Sequence, residues 1–95
     1  MSHIDRVVRA LEVAGFGINV YVDNDHVFGF DITLTLDDSV ENVGHAVFSP
    51  SRRKSRPEML FVEGRLYRET FAAVGRTPAR TVFAFEQYVT ERVLA

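Results

Sequence analysis

The stretch VFGFDITLTL, residues 27–36, places a large apolar side chain on every second residue. These side chains are Phe28, Phe30, Ile32, Leu34 and Leu36. Residues two apart in an extended chain share one face, so the pattern predicts a β-strand whose inner face packs on a core. The other face carries mainly glycine, aspartate and threonine, which is typical of an antiparallel sheet with one face toward solvent.

The residues before this strand predict a helix and then a second strand. Ser2 can cap a helix, and Asp5 falls in its first turn, where a carboxylate faces the positive end of the helix dipole. Apolar residues follow at helical spacing up to a stop signal at Gly15: Ile4, Val7, Val8, Leu11 and Ala14. The period then changes to two, which predicts a strand with one face formed by Phe16, Ile18, Val20 and Val22. Polar residues at 23–26 favour a hairpin turn between the two strands.

Residues 37–50 fit two periods. As a helix, the segment would be capped by Asp38 or Ser39 and would turn three valines toward the core. As a loop followed by a strand, it would alternate Ala46 and Phe48 on one face with residues 45, 47 and 49 on the other. Gly44 and the β-branched valines are poor helix formers, so we favour the strand.

The last part of the chain predicts a loop, at least one strand and a helix. Residues 49–58, SPSRRKSRPE, contain two prolines and four bases and predict a loop. Residues 59–62 predict a short strand, Glu63-Gly64 permits a turn, and residues 66–74 fit a strand or a short helix. Thr77-Pro78 is a helix start, because proline is favoured at the first helical position. Apolar residues then recur at helical spacing: Val82, Phe85, Val89 and Val93.

Together these elements predict one α+β domain covering residues 1–95. An antiparallel sheet of three to five strands would be covered on its apolar face by the N-terminal and C-terminal helices, in two layers. The predicted order is α-β-β-(β or α)-β-α.

Composition excludes several classes of protein. The 95-residue chain has no cysteine, which rules out disulfide scaffolds, cysteine-based zinc sites and thiol chemistry. With 46% hydrophobic and 25% charged residues, it is typical of a globular protein. Charges interrupt the apolar stretches every few residues, so we expect no membrane span and no signal peptide, and a cytoplasmic location.

Charge is divided unequally along the chain. Residues 1–50 hold eight acids and two bases, a balance of −6, whereas residues 51–95 hold five acids and nine bases, a balance of +4. If the fold keeps these groups apart, the molecule is dipolar, which favours a charged partner or head-to-tail self-association. If the fold interleaves them, the surface is simply mixed.

No residue pattern predicts catalysis. His26 lies beside Asp23 and Asp25, which could bind a cation or orient the imidazole as a general base. The spacing departs from a calcium loop, however, because Leu34 stands where the bidentate glutamate belongs. No hydrolase, zinc-protease or phosphate-loop motif is present. We therefore predict a non-enzymatic protein with no catalytic residues, no metal and no cofactor.

The loop cations are the sharpest candidate for a binding site. We expect an acidic protein partner to contact the partner-binding residues Arg52, Arg53, Lys54, Arg56, Arg65 and Arg68. In a second mechanism, Asp23 and Asp25 would mimic phosphate toward a basic partner. The alternative without a binding function is that the basic loop is a solvated hairpin tip whose charges prevent aggregation.

These observations predict a small interaction module. It would be a regulator or inhibitor that occupies a partner's surface, of the kind that phages and mobile elements also encode. The alternative is a nucleic-acid-binding protein that uses the basic loop 52–56. Exposed rings of Phe28 and Phe30 could stack bases, but their alternation with the aliphatic residues of the strand favours the core. Phe83, Tyr88 and Leu94 widen the apolar face of the last helix and suggest a homodimer through that helix.

Overall fold

A computed structural model of the chain describes residues 2–23, 27–52 and 58–94. The elements, in order, are α1 (His3–Val13), β1 (Gly17–Asp23), β2 (Val27–Leu36), β3 (Ser39–Pro50), β4 (Met59–Leu66), β5 (Glu69–Ala72) and α2 (Pro78–Leu94). All strand pairs are antiparallel, and the strands lie in the sheet in their sequence order. The predicted α+β fold is confirmed, with five strands.

α1 begins and ends, and α2 begins, where the local chemistry predicts. The backbone N–H of Asp5 donates to Ser2 Oγ at 3.2 Å, so Ser2 is the N-cap of α1. Gly15 follows α1 with a φ of 91°, a conformation that favours glycine. Pro78 is the first residue of α2, and Thr77 Oγ1 accepts a hydrogen bond from the Arg80 N–H at 3.4 Å.

The segment that fits two periods is a strand, and it is longer than we predicted. β3 begins at Ser39, directly after a two-residue turn formed by Asp37 and Asp38. Both aspartates have positive φ, 47° and 69°, as in a type I′ hairpin turn. Because this turn matches the twist of the flanking strands, β3 can pair with β2 from its first residue.

The turn expected at Glu63-Gly64 is wrong. Both residues lie inside β4, and the chain turns at Tyr67 and Arg68. Gly64 is buried, and packing requires a residue without a side chain there. A Cβ at this position would lie 2.6 Å from the Phe61 ring and 2.8 Å from the Phe85 ring. β3 also extends through Pro50, two residues into the predicted loop.

The two helices pack against each other and against the same face of the sheet. Val7 and Leu11 of α1 and three residues of α2 join the inward side chains of the strands in a single buried cluster. A continuous row of rings runs through it, with centroids 5.7 Å apart for Phe30–Phe48 and 5.6 Å apart for Phe48–Phe61 and Phe61–Phe85. The other face of the sheet carries no helix among the described residues.

The strand that decides the fold is oriented as predicted over its first half. Phe30 and Ile32 are fully buried, and Phe28 packs at the edge of the core. Both rings therefore belong to the core and not to a stacking platform. Leu36 is 50% exposed, contrary to the prediction, because β2 and β3 continue beyond their neighbours there and pair only with each other. We call residues 34–42 the ribbon.

Candidate partner-binding site

The structure disperses the sequence-predicted site residues. Arg52 is exposed directly after β3, whereas Arg65 and Arg68 lie at the other end of β4 and in the turn that follows it. Arg53, Lys54, Arg56 and Asp25 fall outside the described residues, as does His26, and Asp23 is the last residue of β1. Two of the predicted cations line grooves in the described part of the chain: Arg65 lines one beside Gly44 and His45, and Arg52 lines another near the start of β4.

That groove is apolar and has a volume of about 550 Å³. Leu60, Val62 and Val74 are among its lining residues, and Arg52 stands at its rim. Val74 is 87% exposed, held out on the connection between β5 and α2. The groove therefore offers an apolar surface to a side chain from outside the molecule, with a cation next to it.

A second groove, of about 690 Å³, lies on the other side of the same connection. Arg6 from α1 and Arg76 and Arg80 from the start of α2 line it, together with Phe83. Phe83 is 56% exposed, although Val82 and Phe85 on the same helix are fully buried. Three guanidinium groups around one exposed ring form a site suited to carboxylates or phosphates.

The segment 73–80 links the two grooves into one surface, since Val74 and Pro78 line the first groove and Arg76 and Arg80 line the second. We call it the α2 entry surface and define it by Arg6, Arg52, Val74, Arg76, Arg80 and Phe83. Within the described residues, Arg76 and Arg80 form no ion pair. Their charges are therefore free to meet an acidic group from a partner.

Arg6 differs from the other arginines of this surface. Its Nη2 lies 2.8 Å from Glu86 Oε1, which is buried and accepts no hydrogen bond from the described residues. The ion pair compensates the carboxylate and joins α1 to α2. Replacing Arg6 would leave Glu86 without its cation, so the role of Arg6 is structural as well as electrostatic.

His3 binds the backbone of Phe61, one of the residues that line the apolar groove. The backbone N–H of Phe61 donates to His3 Nδ1 at 3.1 Å, so the edge of β4 is satisfied by the first residue of α1. His3 is nearly buried. Burial lowers the pKa of His3, Glu58 acts in the opposite direction, and Arg6 lowers it further. The imidazole is therefore held neutral, with its second nitrogen protonated, which matches its role as an acceptor.

The uncovered face of the sheet provides polar contacts but no reactive constellation. His45 Nε2 lies 3.3 Å from Glu63 Oε2, and both side chains are partly exposed. Arg65 Nε donates to the Tyr67 carbonyl at 3.1 Å. In the described ranges, no three acidic or histidine side chains are grouped so that they could hold a metal ion.

The sequence analysis missed most of the α2 entry surface. Arg6 is remote in sequence and joins the site only through helix packing. Arg76 and Arg80 flank a helix start four residues apart, and that spacing was the signal that could have located them. Phe83 was predicted to widen the apolar face of the last helix beyond what its own sheet covers, and the structure leaves the residue 56% exposed.

The chain was compared with protein-family models, curated proteins and solved structures, and none of them matches it. Neither helix, over its described residues, is long and apolar enough to cross a membrane.

Proposed function

We propose that this protein is a non-enzymatic interaction module that binds an acidic segment of a partner protein at the α2 entry surface. It would act as a regulator or inhibitor by occupying that surface of its partner, in the cytoplasm. The partner segment would place an apolar side chain in the groove beside Val74 and its carboxylates against Arg76 and Arg80.

One observation carries this proposal: an apolar groove adjoins an arginine-lined groove that contains an exposed phenylalanine. Arginine and aromatic residues are enriched at protein interfaces and supply much of their binding energy. A guanidinium also binds a carboxylate through two parallel hydrogen bonds, which fixes orientation as well as charge. In the sequence, Arg53, Lys54 and Arg56 follow Arg52 and would add to the attraction of an acidic partner.

The same arginines could meet the phosphates of a nucleic acid. One feature favours a protein: the apolar groove has no use in phosphate binding. Self-association through α2 is a further use of the exposed Phe83, and the molar mass of the variant Phe83→Ser in solution tests it.

The experiment uses fluorescence anisotropy with a labelled peptide in which glutamates flank a single leucine. We expect wild-type protein to bind it and the double variant Arg76→Ala/Arg80→Ala to bind at least about tenfold more weakly, since hydrogen bonds to charged groups contribute roughly 1.5–3 kcal/mol each. Arg68→Ala is the control for a general loss of positive charge, because it removes one arginine from the turn after β4, away from the α2 entry surface. A peptide with alanine in place of leucine tests the apolar groove.

A mixed-sequence oligonucleotide is titrated in parallel at low and moderate salt. Tight binding that falls steeply with salt, and that depends on Arg52, Arg76 and Arg80, would replace our proposal with the nucleic-acid alternative. Equal peptide binding by wild type, the double variant and Arg68→Ala would show that the α2 entry surface is not the site.

A further inference from the structure

The edge of β1 has the features of a strand that pairs with another strand. β1 bonds to β2 along one side over all seven of its residues, and no described strand lies on its other side. Residues 17–22, GINVYV, contain no charge and no proline. The register with β2 is continuous, without the bulge that interrupts the β2–β3 and β3–β4 pairs.

The opposite edge of the same sheet is protected. β5 has only four residues, begins with Glu69 and directly follows Arg68. Natural sheets guard their edges by making them short, charged or bulged, because an open edge recruits other strands. This chain guards β5 in two of these ways, whereas β1 is long and unbulged and carries a charge only at its last residue, Asp23, so we expect another strand to pair with the open edge of β1.

The side chains of β1 also leave apolar surface uncovered. Val20 lies opposite Phe30 in the register and faces the helix side, yet it is 57% exposed while Phe30 is fully buried. The helix layer stops short of this corner of the sheet. A neighbouring strand beside β1 would cover Val20 and would extend the antiparallel sheet by one strand.

We propose that β1 pairs with β1 of a second copy of this chain, antiparallel and across a twofold axis, which joins two sheets into one. Full overlap of residues 17–23 with themselves places Val20 opposite Val20 and Gly17 opposite Asp23. No two like charges meet in that register, and the two exposed valines bury each other. The contact is isologous and closed, so the product is a dimer. It uses none of the residues of the α2 entry surface.

The test measures molar mass in solution by light scattering and ultracentrifugation across a concentration series. Wild-type protein is expected to pass from the mass of one chain to that of two. Val20→Lys and Val20→Glu should each raise the dimer dissociation constant by about tenfold or more, because like charges would then stand directly opposite. An equal mixture of the two variants should recover the dimer, since opposite charges then face each other across the axis.

Hydrogen exchange gives an independent readout. Alternate amides of residues 17–23 point away from β2, and they should become protected as the concentration of wild-type protein rises. Phe83→Ser is the control for association through α2 and should leave the dimer intact. A wild-type protein that stays monomeric at every concentration overturns the proposal, as does a dimer that Val20→Lys leaves unchanged or that Phe83→Ser abolishes.

Discussion

At the scale of the residue, His3 couples the protonation of one imidazole to the attachment of α1. Its Nδ1 accepts from the Phe61 N–H, so the bond requires a neutral ring. The lowered pKa means that the unfolded chain takes up a proton at His3 more readily than the folded chain as pH falls below 6.5. The stability that the neutral His3 ring contributes is complete above pH 6.5. It declines as the pH falls from 6.5 toward the lower pKa of His3 in the folded protein.

His3→Asn tests this coupling. The amide oxygen of asparagine can accept the same bond but does not titrate, so the variant should lose less stability than wild type between neutral pH and mildly acidic pH. His3→Ala leaves the Phe61 N–H unsatisfied and should destabilise at neutral pH by roughly 1–3 kcal/mol. Urea unfolding at several pH values measures both effects. An unchanged pH dependence in His3→Asn would mean that His3 does not titrate on unfolding.

Gly64 gives a second residue-scale prediction. A methyl group there would meet the Phe61 and Phe85 rings at less than 3 Å, and both rings are buried. Gly64→Ala should therefore destabilise by about 1–3 kcal/mol through overpacking, despite the better strand propensity of alanine. Thermal unfolding measures it. A variant as stable as wild type would show that the rings can move aside.

At the scale of the element, most strands could be predicted from the alternation of apolar residues. The prediction was wrong where that alternation stops. β2 was predicted because its alternation is regular over ten residues. The first residues of β3 were not predicted, since exposed residues of the ribbon have no inner face to impose a period. The turn at Asp37-Asp38 was missed because aspartate is only a moderate signal for positive φ. A turn was predicted at Gly64 because glycine often marks a turn, whereas this glycine lies inside β4 to leave room for two phenylalanine rings.

A substitution in the turn of the ribbon should stabilise the protein, and the size of that effect tests the backbone geometry of the turn. Asp38 has a φ of 69°, and the left-handed region costs most residues other than glycine about 1–2 kcal/mol. Asp38→Gly should therefore stabilise the protein by roughly 0.5–1 kcal/mol. Asp38→Ala serves as the control and should destabilise it. Opposite signs for these two variants in thermal unfolding are the expected result, and equal effects would contradict the assigned turn.

Two phenylalanines of α2 distinguish its buried face from its exposed face. Phe85 is fully buried between Phe61 and Phe71, so Phe85→Ala should cost about 3–5 kcal/mol. Phe83 is mostly exposed, and Phe83→Ala should change stability by about 0.5 kcal/mol or less. Chemical unfolding compares the two variants. A large loss of stability in Phe83→Ala would place that ring in the core and remove it from the α2 entry surface.

At the scale of the whole molecule, the fold partly separates the charges that the sequence divides. Asp37, Asp38 and Glu41 lie exposed on the ribbon, beyond the end of the sheet where β4 finishes. The α2 entry surface lies near the other end of β4, beside Pro50 and Met59. Arg65 and Arg68 remain at the ribbon end, so the separation is incomplete. The sequence predicted the two-layer fold, but the proposed site depends on helix packing that no local pattern reports.

The measurement that tests the central claim most directly is a nuclear magnetic resonance titration of the isotope-labelled protein with the peptide of glutamates and one leucine. Binding at the α2 entry surface predicts that shift changes concentrate in residues 73–84, with smaller changes near Arg6 and Arg52. The aspartates of the ribbon should not respond. Shift changes centred on the ribbon or on the uncovered face of the sheet, or none at saturating peptide, would contradict the account.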